Sequence, residues 1–334
     1  MNIKTIILTI VISVFSNLNV LAKEHIDHAD KDIKTEIKET IAHHLMDSHD
    51  FILTHDISFP LPIILYTDGN LDIFSSSNFH HGTTPYTVNG RTYSLDHGHI
   101  VEAGGLHPID FSITKNVVFI MIVFLIMLIM FIRMAKSYKK NALPGGMGRL
   151  LEPIVIYIRD DIAIPNIGEK HYKKYMSYLL TVFFFIWIVN LFGLTPLGVN
   201  VTNNIAVTFS LALITYVLTT VTANKSYWGH IFWMPGVPIP MKFILAPIEL
   251  LGTIIKPFSL MIRLYANITA GHVVLMSILG MIFIFKGWIG SSLSFGLAFA
   301  LSLLELLVAA LQAYIFTMLS ALYFGAAVEE HHHE

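Results

Sequence analysis

The chain contains no cysteine, which excludes structural disulfides, thiol nucleophiles and thiolate metal sites, and leaves the redox compartment undetermined. It is also poor in charge. Only 13% of the residues are Asp, Glu, Lys or Arg, against 54% hydrophobic, and the mean hydropathy is +0.64. A water-soluble domain carries roughly a quarter charged residues, so this composition describes a membrane protein. The formal net charge of -2 conceals an asymmetry. Acidic residues and histidines crowd the first third, whereas Lys and Arg gather just after the first long apolar run.

Residues 1–22 have the three parts of a secretory signal: Lys4, an apolar stretch from Thr5 to Phe15, and Val20-Leu21-Ala22 before a cleavage point after Ala22. Asn17 and Asn19 interrupt the run before it reaches the roughly 20 residues a membrane span needs. An uncleaved anchor is the alternative reading.

Residues 23–115 hold 11 of the 17 histidines and no apolar run long enough to cross a bilayer. Ile33, Ile37, Ile41 and Leu45 recur every four residues, which predicts a short amphipathic helix over Asp32 to Leu45. Beyond it the pattern becomes short alternating runs around Asp68-Gly69 and Asn89-Gly90, dipeptides that favour two-residue hairpin turns. This region reads as a small exported α+β segment. His25-x-x-His28 and His80-His81 lack the spacing of a defined ligand set, so no metal site is assigned.

Residues 116–334 form the membrane domain, with five helices predicted at about 116–132, 176–194, 205–223, 247–285 and 291–324. Nine Lys or Arg lie between Arg133 and Lys174, and none between Thr195 and Asn204. The positive-inside tendency therefore puts the first connection and the C-terminus in the cytoplasm, and residues 23–115 outside. The fold class is an all-α polytopic membrane protein. Pro247 suits a helix start, Pro257 is a candidate kink, and the stretch from Asn224 to Lys242, with Pro235, Pro238 and Pro240, suits irregular or short interfacial structure. The last two helices exceed the roughly 30 Å of hydrocarbon and are expected to tilt steeply. Their short link, Lys286 to Gly290, makes them an antiparallel hairpin.

Ionisable groups at membrane depth are costly and are functional candidates by default. Here they are Glu249, Lys256, Arg263, His272 and Glu305, with Gln312 as a neutral companion. Glu249, Lys256 and Arg263 are spaced by seven, and Asn267 continues their face one turn later. If the hairpin folds about Trp288, Arg263 falls level with Gln312, and His272 level with Glu305, an imidazole and a carboxylate able to pass a proton. Structural readings stand beside these: snorkelling for Glu249 and Lys256, a polar clasp for His272 with Glu305, and a helix-helix hydrogen bond for Gln312. A secondary transporter is the rival functional class, but no internal repeat is visible.

The segment from Lys256 through Ser259, Arg263, Leu264, Asn267, Ala270 and Gly271 to His272, with the later Gln312-Ala313-Tyr314-Ile315-Phe316, resembles the signature of subunit a of F-type ATP synthases. Asn190 to Pro196 and Thr202 to Thr208 are similar to its preceding helices. The resemblance spans about residues 115 to 330. It implies a proton-translocating stator that is not catalytic alone, in which Arg263 separates two half-channels facing a rotating c-ring. It further implies His272, Glu305, Gln312 and Asn267 as proton-path residues, with Glu249, Lys256 and Ser259 as an accessory polar stripe. Many bacterial members have an acid after Ala-Gly and a histidine before the Gln. Here the two are exchanged, as in mitochondrial members, and Ala266 replaces the usual Gly. The implied partners are the c-ring, the b subunits, protons and membrane lipid; neither a cofactor nor nucleic acid is implied.

Overall fold

The computed structural model describes residues 47–54, 57–79, 84–96, 98–103, 108–140, 146–195, 199, 201–234, 236–284 and 288–329. The signal sequence, the amphipathic segment 32–45, His25, His28, His80, His81 and the link at Lys286-Gly287 lie outside the described residues. The described residues fall into a β unit followed by membrane helices.

In the β unit, β1 (Asp50–Thr54) pairs with β2 (Ile57–Pro60). β3 (Pro62–Thr67) lies between β4 (Asn70–Ser75) and β8 (Ile109–Asp110), and β6 (Arg91–Asp96) lies between β5 (Tyr86–Val88) and β7 (His99–Glu102). Both predicted hairpin turns are present. Thr67 faces Asn70 across Asp68-Gly69, and Val88 faces Arg91 across Asn89-Gly90. All four turn residues have positive φ, the mirror-image geometry that matches the twist of the flanking strands.

The two three-stranded sheets enclose Ile63, Leu65, Phe74, Phe79, Tyr93 and Ile100. One buried carboxylate ties the layers together. Asp72 accepts from Asn89 Nδ2 at 2.6 Å and from the Tyr93 hydroxyl at 2.7 Å, with Arg91 Nη1 at 3.8 Å. Burial pushes the Asp72 carboxyl up, but these hydrogen bonds and the Arg91 charge outweigh it and hold it below the usual value. The β unit joins the first membrane helix directly, since Lys115 N donates to Ser48 O at 2.8 Å and Asn116 N to Asp47 Oδ1 at 3.2 Å.

The helices are α1 (Lys115–Lys140), α2 (Met147–Tyr157), a π-helical turn (Ile158–Ala163), α3 (Ile164–Ile167), α4 (Tyr172–Gly193), α5 (Ile205–Thr222), α6 (Lys225–Phe232), α7 (Ile239–Ile284) and α8 (Trp288–Val328). Among the described residues five helices are long and apolar enough to cross a membrane: α1, α4, α5, α7 and α8. The chain is a multi-pass membrane protein.

α4 and α8 extend a few residues beyond the expected bounds, and three larger differences have physical reasons. α1 runs on past 132 to Lys140, because Arg133, Lys136 and Lys139 are good helix formers whose long stems reach a membrane surface. α7 starts at Ile239, so Pro247 and Pro257 both sit inside it. Prolines are tolerated within membrane helices because neighbouring groups re-satisfy the freed backbone. The basic connection between α1 and α4 is itself helical. Its Leu151, Ile158, Ile162 and Ile167 are buried, at a spacing that follows one helix face.

α4 and α8 form the centre of the bundle. Tyr175 stacks on Phe324 with centroids 4.5 Å apart, and α8 presents buried Ala309, Ala313, Thr317, Ala321 and Ala327. Small residues at such intervals let helix backbones approach in lipid, where no hydrophobic force draws helices together. Between α4 and α5, Tyr178 Oη lies 2.6 Å from Thr215 Oγ1, and Tyr175 Oη donates to Thr222 Oγ1 at 2.7 Å. The closest approach is at Gly325, where a methyl group would overlap the Asn166 carbonyl of α3. Gly325→Ala should therefore lower the unfolding temperature of the detergent-solubilised protein, at a cost of about 1–3 kcal/mol. Gly296, on the same helix, has open space around it. Gly296→Ala should be neutral or slightly stabilising, since Ala is the better helix former. Equal unfolding temperatures for the two variants would contradict this packing.

Candidate functional site

α7 and α8 run antiparallel, about 69 Å and 61 Å long at 1.5 Å per residue. Both greatly exceed the roughly 30 Å hydrocarbon layer. One side of α7 is open along its middle: Ser259, Ile262, Arg263, Ala266, Asn267, Ala270 and Val274 are all exposed. Arg263 makes no hydrogen bond and no ion pair among the described residues. A guanidinium carries five donors and cannot be neutralised by losing a proton, so at membrane depth an open face carrying it is incomplete without a partner. Ser259, Ala266 and Ala270 leave room for a helix to come close beside it.

Nine residues beyond Arg263, or roughly 14 Å along the axis, His272 Nδ1 lies 3.3 Å from Glu305 Oε1, and both side chains are at least nine-tenths buried. Among the described residues neither Glu305 carboxylate oxygen has a hydrogen-bond partner. Burying a carboxyl so poorly satisfied is costly, and such a cost persists where a group must accept and release a proton. Gly271 makes the room: a β-carbon there would lie 2.9 Å from Glu305 Oε1.

The expected register holds for His272 with Glu305 and shifts for the other pair. Gln312 Oε1 accepts from Asn267 Nδ2 at 3.0 Å, while Arg263, one turn earlier on α7, is left unengaged. The difference is one of direction, since the two amides meet across the hairpin whereas Arg263 is exposed on the open side.

Seven residues before Arg263, roughly 10 Å in the other direction, the Lys256 ammonium sits 5.7 Å from the Tyr323 ring centroid. This distance falls within cation-π reach. A small cavity of about 10 Å³ opens here among α5, α6, α7 and α8, with Thr215, Tyr216, Thr219, Thr253, Lys256 and Tyr323 in its lining. It has room for about one water. Glu249 is half-buried two turns further along, and Ser259 is exposed and outside the cavity lining.

Two contributors were not singled out from the sequence. Thr269 Oγ1 donates to Asn203 Oδ1, linking α7 to the 3-10 turn Val201–Asn203. Thr202 Oγ1 donates to the buried Asn190 at 2.8 Å. Hydroxyls in a membrane helix bond their own i-4 carbonyls so readily, as Thr219 does to Thr215 O at 2.7 Å, that sequence alone does not mark which ones also reach across.

The sequence matches the family model described as ATP synthase A chain over residues 117–325, and a domain of unknown function over residues 40–116. The relatives include ATP synthase subunit a of Chloroherpeton thalassium, 40% identical over 260 residues, which are 76% of this chain and 77% of that one. Subunit a of Chlorobium phaeobacteroides strain BS1 is 44% identical over 234 residues, 67% of this chain and 68% of the other. ATP synthase subunit a 2 of Chlorobaculum tepidum is 41% identical over 257 residues, 74% and 71% of the two chains. The matched segment holds every polar group of the α7–α8 hairpin described above, and the chain belongs to the ATP synthase subunit a family.

Proposed function

We propose that this chain is the proton-translocating stator of a rotary F-type ATP synthase, with the open face of α7 turned toward a ring of c subunits. As a member of its family it is a membrane channel subunit of that assembly and not a catalyst by itself. The observation that carries the finer reading is the placement of Arg263: exposed, unengaged, and set between two separate polar features on the same helix.

In this reading His272 and Glu305 line an access path from one side of the membrane, and the Lys256–Tyr323 cavity belongs to a path from the other. Arg263 stands between them. Because it remains protonated at any accessible pH, it neither relays a proton nor lets one pass directly between the paths. Its charge lowers the pKa of a ring carboxylate passing opposite, which favours release of that carboxylate's proton. The carboxylate then takes up a proton from the other path and crosses lipid in its neutral form. A proton falling through 100 mV yields about 2.3 kcal/mol, so several must be combined for each ATP. A ring of identical sites does this.

In this reading the connection between α1 and α4 and the C-terminus are cytoplasmic and the β unit lies outside, an orientation supported by the basic residues of that connection. The β unit and residues 23–46 then follow a cleaved signal sequence. The b subunits complete the stator. Affinity purification of the tagged chain from mild detergent should recover a c-ring and the b subunits in fixed proportion. Recovery of a lone chain that moves a solute in liposomes would instead support a secondary transporter.

A further inference from the structure

Among the described residues the β4–β3–β8 sheet is covered on one side only. Its inner residues, Ile63, Leu65, Asp72 and Phe74, are buried under the second sheet. Its outer face carries Ile64, Tyr66, Leu71, Ile73 and Ile109, brought together by the pairings Ile64 with Ile73 and Tyr66 with Leu71 and Ile109. The ladder continues through Phe111, whose N–H donates to Ile64 O at 2.9 Å, and alternation puts that side chain on the same face. Tyr66, Leu71, Ile73, Ile109 and Phe111 are between 42% and 63% exposed. Pro62 and Ser75 complete the face, which bears no charge. An antiparallel sheet facing water alternates apolar inside with polar outside. This one is apolar on both sides, so its outer face is built to be covered.

We infer that the cover is this chain's own segment Asp32 to Leu45, docked as an amphipathic helix. Four features support that occupant. Its Ile33, Ile37, Ile41 and Leu45 form an apolar stripe, with Thr35, Glu39 and His43 turned the other way. Its 14 residues make a helix of about 21 Å, and the six residues of β3 span about 20 Å. The described chain that follows the segment begins beside the sheet: His49 Nε2 lies 3.2 Å from Asp110 Oδ2 on the edge strand β8. Three residues separate Leu45 from His49, and the four steps between them make a tether of at most about 14 Å, enough to round one edge strand. A ligand so tethered docks at high effective concentration, and a helix laid on the bare face of a sheet is the standard way to complete a two-layer unit.

The absence of native cysteine makes the test direct. Ile73→Cys is combined with Ile41→Cys or with Glu39→Cys in the full chain, in membranes, and treated with a thiol cross-linker reaching about 8 Å, because a helix packed on a sheet holds its backbone too far away for a disulfide. The Ile41 pair should cross-link within one chain at least tenfold faster than the Glu39 pair. A second measurement does not depend on linker geometry. Ile73→Cys alone should react slowly with a water-soluble maleimide, and at least tenfold faster when Ile33, Ile37 and Ile41 are all changed to Ser. Equal cross-linking of the two pairs, linkage only between copies, or protection of Ile73→Cys that survives the triple change would overturn the proposal. The last two outcomes would assign the face to a second copy and to lipid or another subunit, respectively.

Discussion

Arg263→Ala should abolish proton-driven ATP synthesis and ATP-driven pumping, reducing each at least a hundredfold to background, while the complex still assembles in normal amount. The two halves of this expectation come from different observations. Assembly survives because Arg263 fills no core position and bonds nothing among the described residues. It is exposed, and the buried residues on either side, Met261 and Leu264, are untouched. Function is lost because nothing nearby replaces a fixed charge on the open face. The next cation along the helix, Lys256, lies roughly 10 Å away and is engaged with Tyr323. Arg263→Lys separates charge from geometry. An ammonium keeps the charge but not the forked donors and loses its proton far more readily in a dry setting, so it should restore little. Pumping by inverted membranes, with the subunit quantified by immunoblot, decides the matter. Coupled synthesis at the normal rate in Arg263→Ala would end the assignment, whereas loss of the subunit from the membrane would show instead that the arginine holds the fold.

Much of this was legible in the sequence because lipid imposes simple rules. A span must be helical and apolar, so α1, α4, α5, α7 and α8 announce themselves by length and hydropathy, and each polar residue within them stands out. The hairpin turns at Asp68-Gly69 and Asn89-Gly90 were equally plain, since few other dipeptides accept two consecutive positive φ values. What was hidden depends on tertiary contact. The helices between α1 and α4 bury Leu151, Ile158, Ile162 and Ile167 in the bundle core, but the basic residues around them disguise the pattern. Pro247 is favourable at a helix start, but membrane helices tolerate proline internally, and α7 begins at Ile239, ahead of it. A hairpin symmetric about Trp288 brings His272 level with Glu305, but level position does not fix the direction of a side chain, and Asn267 rather than Arg263 meets Gln312. The roles of Thr269 and Asn203 depend on a contact between helices that no local pattern encodes.

The second large effect concerns His272 and Glu305. Either residue alone, replaced by Leu, should slow proton pumping about tenfold or more without the complete block of Arg263→Ala, because each change strands one ionisable group in a buried site and breaks the relay. His272→Glu should be at least as damaging. It sets two carboxyl groups in contact, and like charges so close cannot both ionise, which locks a proton onto one of them. Adding Glu305→His recovers an acid beside an imidazole with their positions exchanged, so the double variant should pump faster than His272→Glu alone. Recovery should be partial. A ring at 305 must fit against Gly271, where a β-carbon would already lie 2.9 Å from the native carboxylate oxygen. The measurement is a double-mutant cycle on pumping rate in inverted membranes, with assembly matched across both single variants and the double. A double variant no faster than the slower single would show that the 3.3 Å contact is a structural clasp and not the proton path. Recovery above His272→Glu would show that function requires one acid and one imidazole in contact, whichever helix supplies each.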